Sequence, residues 1–245
     1  MKEFGVDISK WQKGIDIGKL KADGVQFVIL RGADRYTKDS EFNAFYDKCN
    51  LLGIPVGCYQ YCRALSVDEA VKEARFLIDN VLKGKKFAYP IYGDFEEPSQ
   101  KKLGKAKMDE IIKAYCSALE QAGYFAGVYC NEDFYKNYCS GAELSKKYTW
   151  WLAKWTSTQI TAFPMWQFGG EQNFIRYNTI AGHVVDQNYC FKDFPLEIRK
   201  KKKNGFTELD ENREKVKQKF GLSEDTMKYL DAYKFSESLY LKLAR

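Results

Sequence analysis

A single histidine, His183, stands among 245 residues. That scarcity removes a Ser-His-Asp triad, a Cys-His protease and a His-ligated metal centre together. Cysteine is present seven times (Cys49, Cys58, Cys62, Cys116, Cys130, Cys139, Cys190), but never in the C-x2-C spacing of a zinc site. Most of these thiols sit inside apolar segments, so reduced, buried side chains are expected. Nowhere do ~18 apolar residues run together, which argues against membrane insertion. The opening MKEFGVDISKWQKG has no uninterrupted apolar stretch of signal-peptide length. Basic stripes interleaved with aromatics are also missing, so nucleic acid is not an expected partner. Any chemistry must therefore come from carboxylates and neutral polar groups, with no metal and no organic cofactor expected.

What is present supports a globular protein. Hydrophobic residues make up 45% of the chain and aromatics 16%, enough for a sizeable core. The formal net charge of +6 is unevenly spread, since +4 of it lies after residue 195 and the body before it is nearly neutral. The run Arg199, Lys200, Lys201, Lys202, Lys203 reads as a solvated linker with a weak attraction for anionic surfaces.

Strand-like segments rich in β-branched and aromatic residues occur at 4–9, 25–33, 55–62, 87–96, 125–130, 149–155, 164–170 and 183–189. Helical periodicity separates the first five, around 16–23, 39–52, 67–83 and 104–122. In the third, Ser66 is a candidate N-cap with Glu69 three residues on. Alternating strands and helices imply parallel pairing with right-handed crossovers. After residue 131 the connections, such as GGEQNFIRYNTIAG, are too brief for full crossover helices, so the last strands are expected to be antiparallel or loop-linked. The expected fold is α/β: an eight-stranded β/α barrel with an incomplete helical jacket, with an open doubly wound sheet as the alternative. The expected organisation is a barrel over 1–198, a basic linker over 199–205 and a small helical tail over 206–245. Thr207 with Asp210 and Ser223 with Thr226 mark helix starts in that tail, and Gly221 a stop. Some 40 residues are too few for an independent core, so the tail should pack on the barrel, self-associate or serve as a targeting module.

In FAYPIYGDFE an apolar strand ends in acids. The period of two puts Asp94 and Glu96 on one side and Phe95 and Glu97 on the other. The C-terminal end of a barrel strand is where active sites form. Two carboxyls buried together should leave one protonated at neutral pH and the other ionised. Asp7, near the end of the first strand, and Asp186, within the last, become neighbours if strands one and eight close the barrel. Aromatics accompany the acids: Tyr59, Tyr61, Tyr129, Trp151, Trp155 and Trp166. Their rings suit the apolar C–H face of a sugar, so a glycan cleft is expected.

The ordered set GVDISKWQKGID, VQFVILRGA, GIPVGCYQY, DFE, WWLAKW, MWQF and VVDQN resembles the family 25 glycoside hydrolases, the Chalaropsis-type lysozymes of bacteria and phages. The resemblance covers residues 4 to about 194. It implies a flattened, incomplete β/α barrel that cleaves the β-1,4 bond between N-acetylmuramic acid and N-acetylglucosamine in bacterial cell-wall peptidoglycan. By position, Glu96 matches the general acid, Asp94 its partner carboxylate, and Asp7 and Asp186 the remaining acids of the cleft. Gln60, between the two tyrosines, departs from the family pattern, and so does RGADRYTK with its Asp34 and Arg35. Such an enzyme would be made in the cytoplasm and act on the wall after release, as an endolysin does in cytolysis, or after export if a leader has been removed.

Two rivals remain. A chitinase-like glycosidase also ends a strand in Asp-x-Glu, but carries another Asp upstream where this chain has Tyr92. An inactive peptidoglycan-binding barrel would be expected to have lost one of the acids, and all four are present.

Overall fold

The computed structural model describes residues 1–170 and 179–244. In chain order the elements are β1 (Glu3–Ile8), α1 (Ile17–Ala22), β2 (Phe27–Asp34), β3 (Thr37–Lys38), α2 (Phe42–Leu51), β4 (Val56–Tyr61), α3 (Val67–Leu77), β5 (Ile91–Asp94) and α4 (Lys105–Gln121). There follow β6 (Ala126–Asn131), α5 (Glu132–Asn137), α6 (Gly141–Leu144), β7 (Thr149–Ala153), β8 (Met165–Gly169), β9 (Asp186–Cys190), α7 (Phe194–Lys200), α8 (Glu208–Phe220), α9 (Glu224–Asp231) and α10 (Ser236–Leu243).

Eight strands close a barrel in the order β1, β9, β8, β7, β6, β5, β4, β2, with β2 returning to β1. The two-residue β3 is a hairpin partner of β2 outside this ring. All pairings from β1 through β2 and β4 to β8 are parallel. β9 runs antiparallel to both of its neighbours, so its N-terminal end joins the C-terminal ends of the others. The expected barrel is therefore the observed one, and its final strand is the antiparallel one. Of the stretch GGEQNFIRYNTIAG, positions 171–178 lie outside the described residues.

Strand alternation divides the apolar side chains into two layers. Phe4, Val6, Val28, Leu30, Val56, Ile91, Val128, Trp150, Trp166 and Phe168 face outward, into the core shared with the helices. Phe27, Ile29, Tyr92, Tyr129, Trp151, Met165 and Cys190 face inward. A Cβ on Gly127 would lie 2.5 Å from the Tyr92 ring; the bare backbone there makes room for a large ring at the centre. All seven cysteines are buried and free. Burial raises the thiols, Cys49 to about 12, which keeps them inert at neutral pH.

Ser66 caps α3, its hydroxyl accepting from the Glu69 amide at 3.2 Å. Thr207 and Asp210 form a capping box at the start of α8, and Gly221 ends that helix in the left-handed conformation. The tail helices share a small core of Val216, Met227 and Tyr240. They meet the barrel through the ion pairs Lys86–Asp210 and Arg199–Glu214.

The basic run at 199–203 is the last turn of α7 and the bend after it, where a linker was expected. Phe194 and Ile198 of α7 plug the bottom of the barrel among Phe27, Tyr89 and Cys190. Asn204, fully buried at φ 56°, then donates through Nδ2 to the carbonyls of Phe87 and Tyr89 at 3.0 and 2.8 Å. Its Oδ1 accepts from the Phe125 amide at 2.7 Å. One side chain thus ties together the lead-ins to β5 and β6, a role no charge pattern announces.

Asn204→Ala should leave two carbonyls and one amide unpaired in a dry site, costing about 3 kcal/mol and lowering Tm by roughly 6–12 °C. A chain ending after Phe206 should fold, whereas one ending after Ile198 should melt markedly lower. Circular-dichroism melts of the three proteins check both expectations; equal melting of the two truncated chains would show that Asn204 is not a clasp.

Candidate active site

Each acid singled out in the sequence reaches the same barrel mouth. Asp7 is directly opposite Asp186 in the β1–β9 ladder. Asp94 ends β5 with its side chain on the inner face, like Tyr92. Phe95 continues the ladder, its amide donating to the Tyr129 carbonyl at 3.0 Å, and packs edge-on against Tyr115 outside the barrel. Alternation then returns Glu96 to the cleft side. The convergence is visible in Tyr129, whose phenol is raised by burial first and then by the charges of Glu96, Asp94, Asp7 and Asp186.

Burial sets the electrostatics. Asp7, 7% exposed, is pushed up to about 6, mainly because its charged form is dehydrated, against the lowering effect of hydrogen bonds from Asn188 and Gln167. Asp94 is held well above the carboxylate range by burial, then by Glu96 and Asp7, with Arg31 opposing. Its Oδ1 is buried with no hydrogen-bond partner. Glu96 is half-buried and is also raised, by burial and by Asp7, with Lys101 pulling the other way. All three shifts run toward the protonated form, as expected where carboxyls are buried together.

An amide shell fixes Asp7. Its Oδ2 accepts from Asn188 Nδ2 at 2.7 Å and from Gln167 Nε2 at 3.1 Å. The amides are oriented from behind: Trp151 Nε1 donates to Asn188 Oδ1 at 2.8 Å. Tyr129 Oη and Trp155 Nε1 donate to Gln167 Oε1 at 3.0 and 3.2 Å. An indole N–H can only donate, so both amide oxygens must face the rings and both NH2 groups must face the carboxylate. A Cβ on Gly170 would lie 1.9 Å from Asp186 Oδ1 and 2.8 Å from Trp155; glycine there lets the acid and the indole approach.

The expected aromatics divide into three kinds. Tyr59, Tyr61 and Trp155 are partly exposed at the mouth. Tyr129 and Trp151 are buried beneath it and act on the amides, leaving no open ring face for a sugar. Trp166 is not in the cleft. Alternation places it in the outer core, opposite Leu152 and against Phe168 and Tyr189, where it is 2% exposed and donates to the Lys154 carbonyl at 2.7 Å. Trp11, not among the aromatics expected at the cleft, is 75% exposed. It overhangs a groove of about 610 Å³ lined by Asp7, Tyr59, Asp186, Arg31 and His183. The motif KWQKG contained it, but a tryptophan outside a strand gave no alternation to read. Among the described residues no group of His, Cys, Asp or Glu is arranged to hold a metal ion.

The raised pKa of Asp7 has a consequence for stability. A folded-state value near 6, against 3.8 in the free side chain, means that its contribution is favourable below pH 3.8 and is lost as pH rises through 6. Asp7→Asn preserves an acceptor for the amides and removes the charge. It should therefore be more stable than the parent by about 1–3 kcal/mol above pH ~7. The difference should vanish below pH ~4. Calorimetric melts across this range check the sign; an Asp7→Asn protein less stable than the parent at neutral pH would contradict the burial argument.

Comparison with known proteins agrees with this geometry. The family model for glycosyl hydrolases family 25 matches residues 6–176. The autolytic lysozyme of Clostridium acetobutylicum is 28% identical over 137 residues, which span 54% of this chain and 40% of that protein. The lysozyme of Streptomyces coelicolor superposes with a TM-score of 0.67 at 22% identity, over 80% of this chain and 95% of the other. The modular autolysin LytC of Streptococcus pneumoniae, solved with a synthetic peptidoglycan ligand, gives 0.65 at 23%, over 78% and 47%. The two structures share the fold, and the family match extends from the β1 acid past Gly170. The chain belongs to glycosyl hydrolases family 25.

Proposed function

We propose that this protein is an endo-acting lysozyme that hydrolyses the β-1,4 bond between N-acetylmuramic acid and N-acetylglucosamine in peptidoglycan. The observation that carries the reading is the pairing of Asp94 and Glu96 on one rim of the barrel, facing Asp7 and Asp186 across it. In this reading Glu96, the half-buried member with a raised pKa, protonates the departing glycosidic oxygen. Asp94 either orients the substrate's own acetamido group as an internal nucleophile or assists water. Asp7 and Asp186 place negative charge where an oxocarbenium-like sugar develops positive charge. Trp11, Tyr59, Tyr61 and Trp155 offer rings to the glycan strand.

The chitinase-like alternative is disfavoured because the upstream position of its third acid is Tyr92, fully buried and packed edge-on to Trp151 at 5.3 Å. The tail leaves Tyr229, Tyr233 and Phe235 exposed, at 84%, 53% and 57%. That face supports association with the wall or with a second copy. Action on the wall follows release from the cell in which the enzyme is made.

Glu96→Gln keeps shape and hydrogen bonding but removes the transferable proton, so wall lysis should fall by ~10²–10⁴-fold with a melt no lower than the parent's. Released reducing ends should be muramic acid, identified after borohydride reduction. Lysis by the Glu96→Gln protein within a few-fold of the parent would remove Glu96 as the acid, and reducing-end glucosamine would remove the muramidase reading. Deleting residues 207–245 should weaken wall sedimentation more than cleavage of soluble wall fragments, because a second linked contact helps only on a polymer. Equal losses in both assays would make the tail part of the catalytic unit.

A further inference from the structure

We propose that Arg63, anchored by Asp34, is a positioning residue that holds Glu97 and thereby sets the placement of Glu96. The proposal rests on Glu96 being the proton donor. Glu97 follows Glu96 directly in the chain, so fixing one restricts the backbone of the other.

Arg63 Nη1 donates to Glu97 Oε2 at 2.7 Å. Its Nε and Nη2 donate to Asp34 Oδ1 and Oδ2 at 2.7 and 3.0 Å. The guanidinium thus grips Asp34 with a two-pronged fork and spends another N–H on Glu97, a division that a planar guanidinium allows and a lysine ammonium does not. The ring of Tyr61 lies 4.7 Å beneath it. Consistent with the grip, Asp34 is held below the usual carboxylate range, first by the Arg63 hydrogen bonds.

Both ends of the clamp are built on fixed backbone. The Arg63 amide donates to Glu73 Oε2 at 3.0 Å, and Glu73 is fully buried. The carbonyls on either side of Arg63, those of Cys62 and Ala64, accept from the buried Gln100 Nε2 at 3.0 and 3.1 Å. Gln100 belongs to the turn that follows Glu97, so the backbones of the two loops are joined independently of Arg63. At the other end, Asp34 begins the tight β2–β3 turn, where Arg35 adopts φ 51°. The Arg35 carbonyl accepts from Gln60 Nε2 at 2.6 Å, and Tyr115 Oη donates to Gln60 Oε1 at 2.8 Å. Gln60, Asp34 and Arg35 thus form one support for the anchor.

Proton transfer requires the donor within hydrogen-bond reach of the glycosidic oxygen, and a misplacement of ~1 Å costs ~10²-fold. Arg63→Ala should therefore lower kcat on soluble Gram-positive wall fragments by about ten-fold or more, with KM changed by less than about three-fold. Arg63→Lys should recover part of the loss. Glu97→Ala should lower kcat in the parent but add little in the Arg63→Ala background, because the two act as a unit. The isosteric Asp34→Asn, which disturbs the fold least, should lower kcat several-fold. Parent-like kcat in Arg63→Ala or in Asp34→Asn, or fully additive effects of the Arg63 and Glu97 changes, would overturn the clamp. Glu96→Gln in the same assay separates the two failures. If it is inactive while Arg63→Ala is normal, only the clamp fails; if it is active, the acid assignment itself fails.

Discussion

Everything at the mouth of this barrel answers to one electrostatic difficulty: several carboxyls must sit close together in a place with little water. Each carboxylate added to a low-dielectric site makes the next harder to ionise. At Asp7 the fold does not relieve this with a cation. It supplies neutral donors of fixed direction, the amides of Gln167 and Asn188, on the carboxyl oxygen of Asp7. Such donors steady a charge without cancelling it, so the mouth keeps its negative potential.

The topology makes that arrangement possible. With every strand parallel, an acid opposite Asp7 would have to come from a strand's C-terminal end. The antiparallel β9 instead enters at the mouth, so its first residue, Asp186, faces Asp7, and Asn188, two residues deeper, points to the same side. The short strand therefore contributes both an acid and the donor that orients another acid. The indoles of Trp151 and Trp155 complete the support from β7 and the loop after it.

Much of this was legible in the sequence, for physical reasons. A period of two is a strong signal, so the shared side of Asp94 and Glu96 could be read from DFE alone, and alternating strands and helices led to a closed barrel. The same rule turns Trp166 outward, because its neighbour Gln167 faces inward to Asp7; an aromatic ring in a motif is not by itself a sugar platform. Gln167 and Asn188 carry no such signal, because an amide has no reactivity of its own and matters only through what orients it. The run at 199–203 looks solvated because lysines usually are, yet the chain immediately after it is buried by a single asparagine. Charge patterns describe side chains, and it was backbone carbonyls that needed a partner there.

Arg31 shows how finely the proton inventory of the mouth is set. It lies on the inner face of β2 and lowers the pKa of Asp94, so a free guanidinium there would draw the cluster toward full ionisation. Arg31 is not free: its Nε donates to Asp39 Oδ2 at 2.8 Å, with only 12% and 1% of the two side chains exposed. Asp39 is in turn held by the amides of Lys10 and Glu41, each at 3.0 Å. A cation bound to its own buried counter-ion exerts a reduced field on other acids. At Asp94, burial and then the charges of Glu96 and Asp7 outweigh Arg31, and its carboxyl stays well above the ordinary carboxylate range.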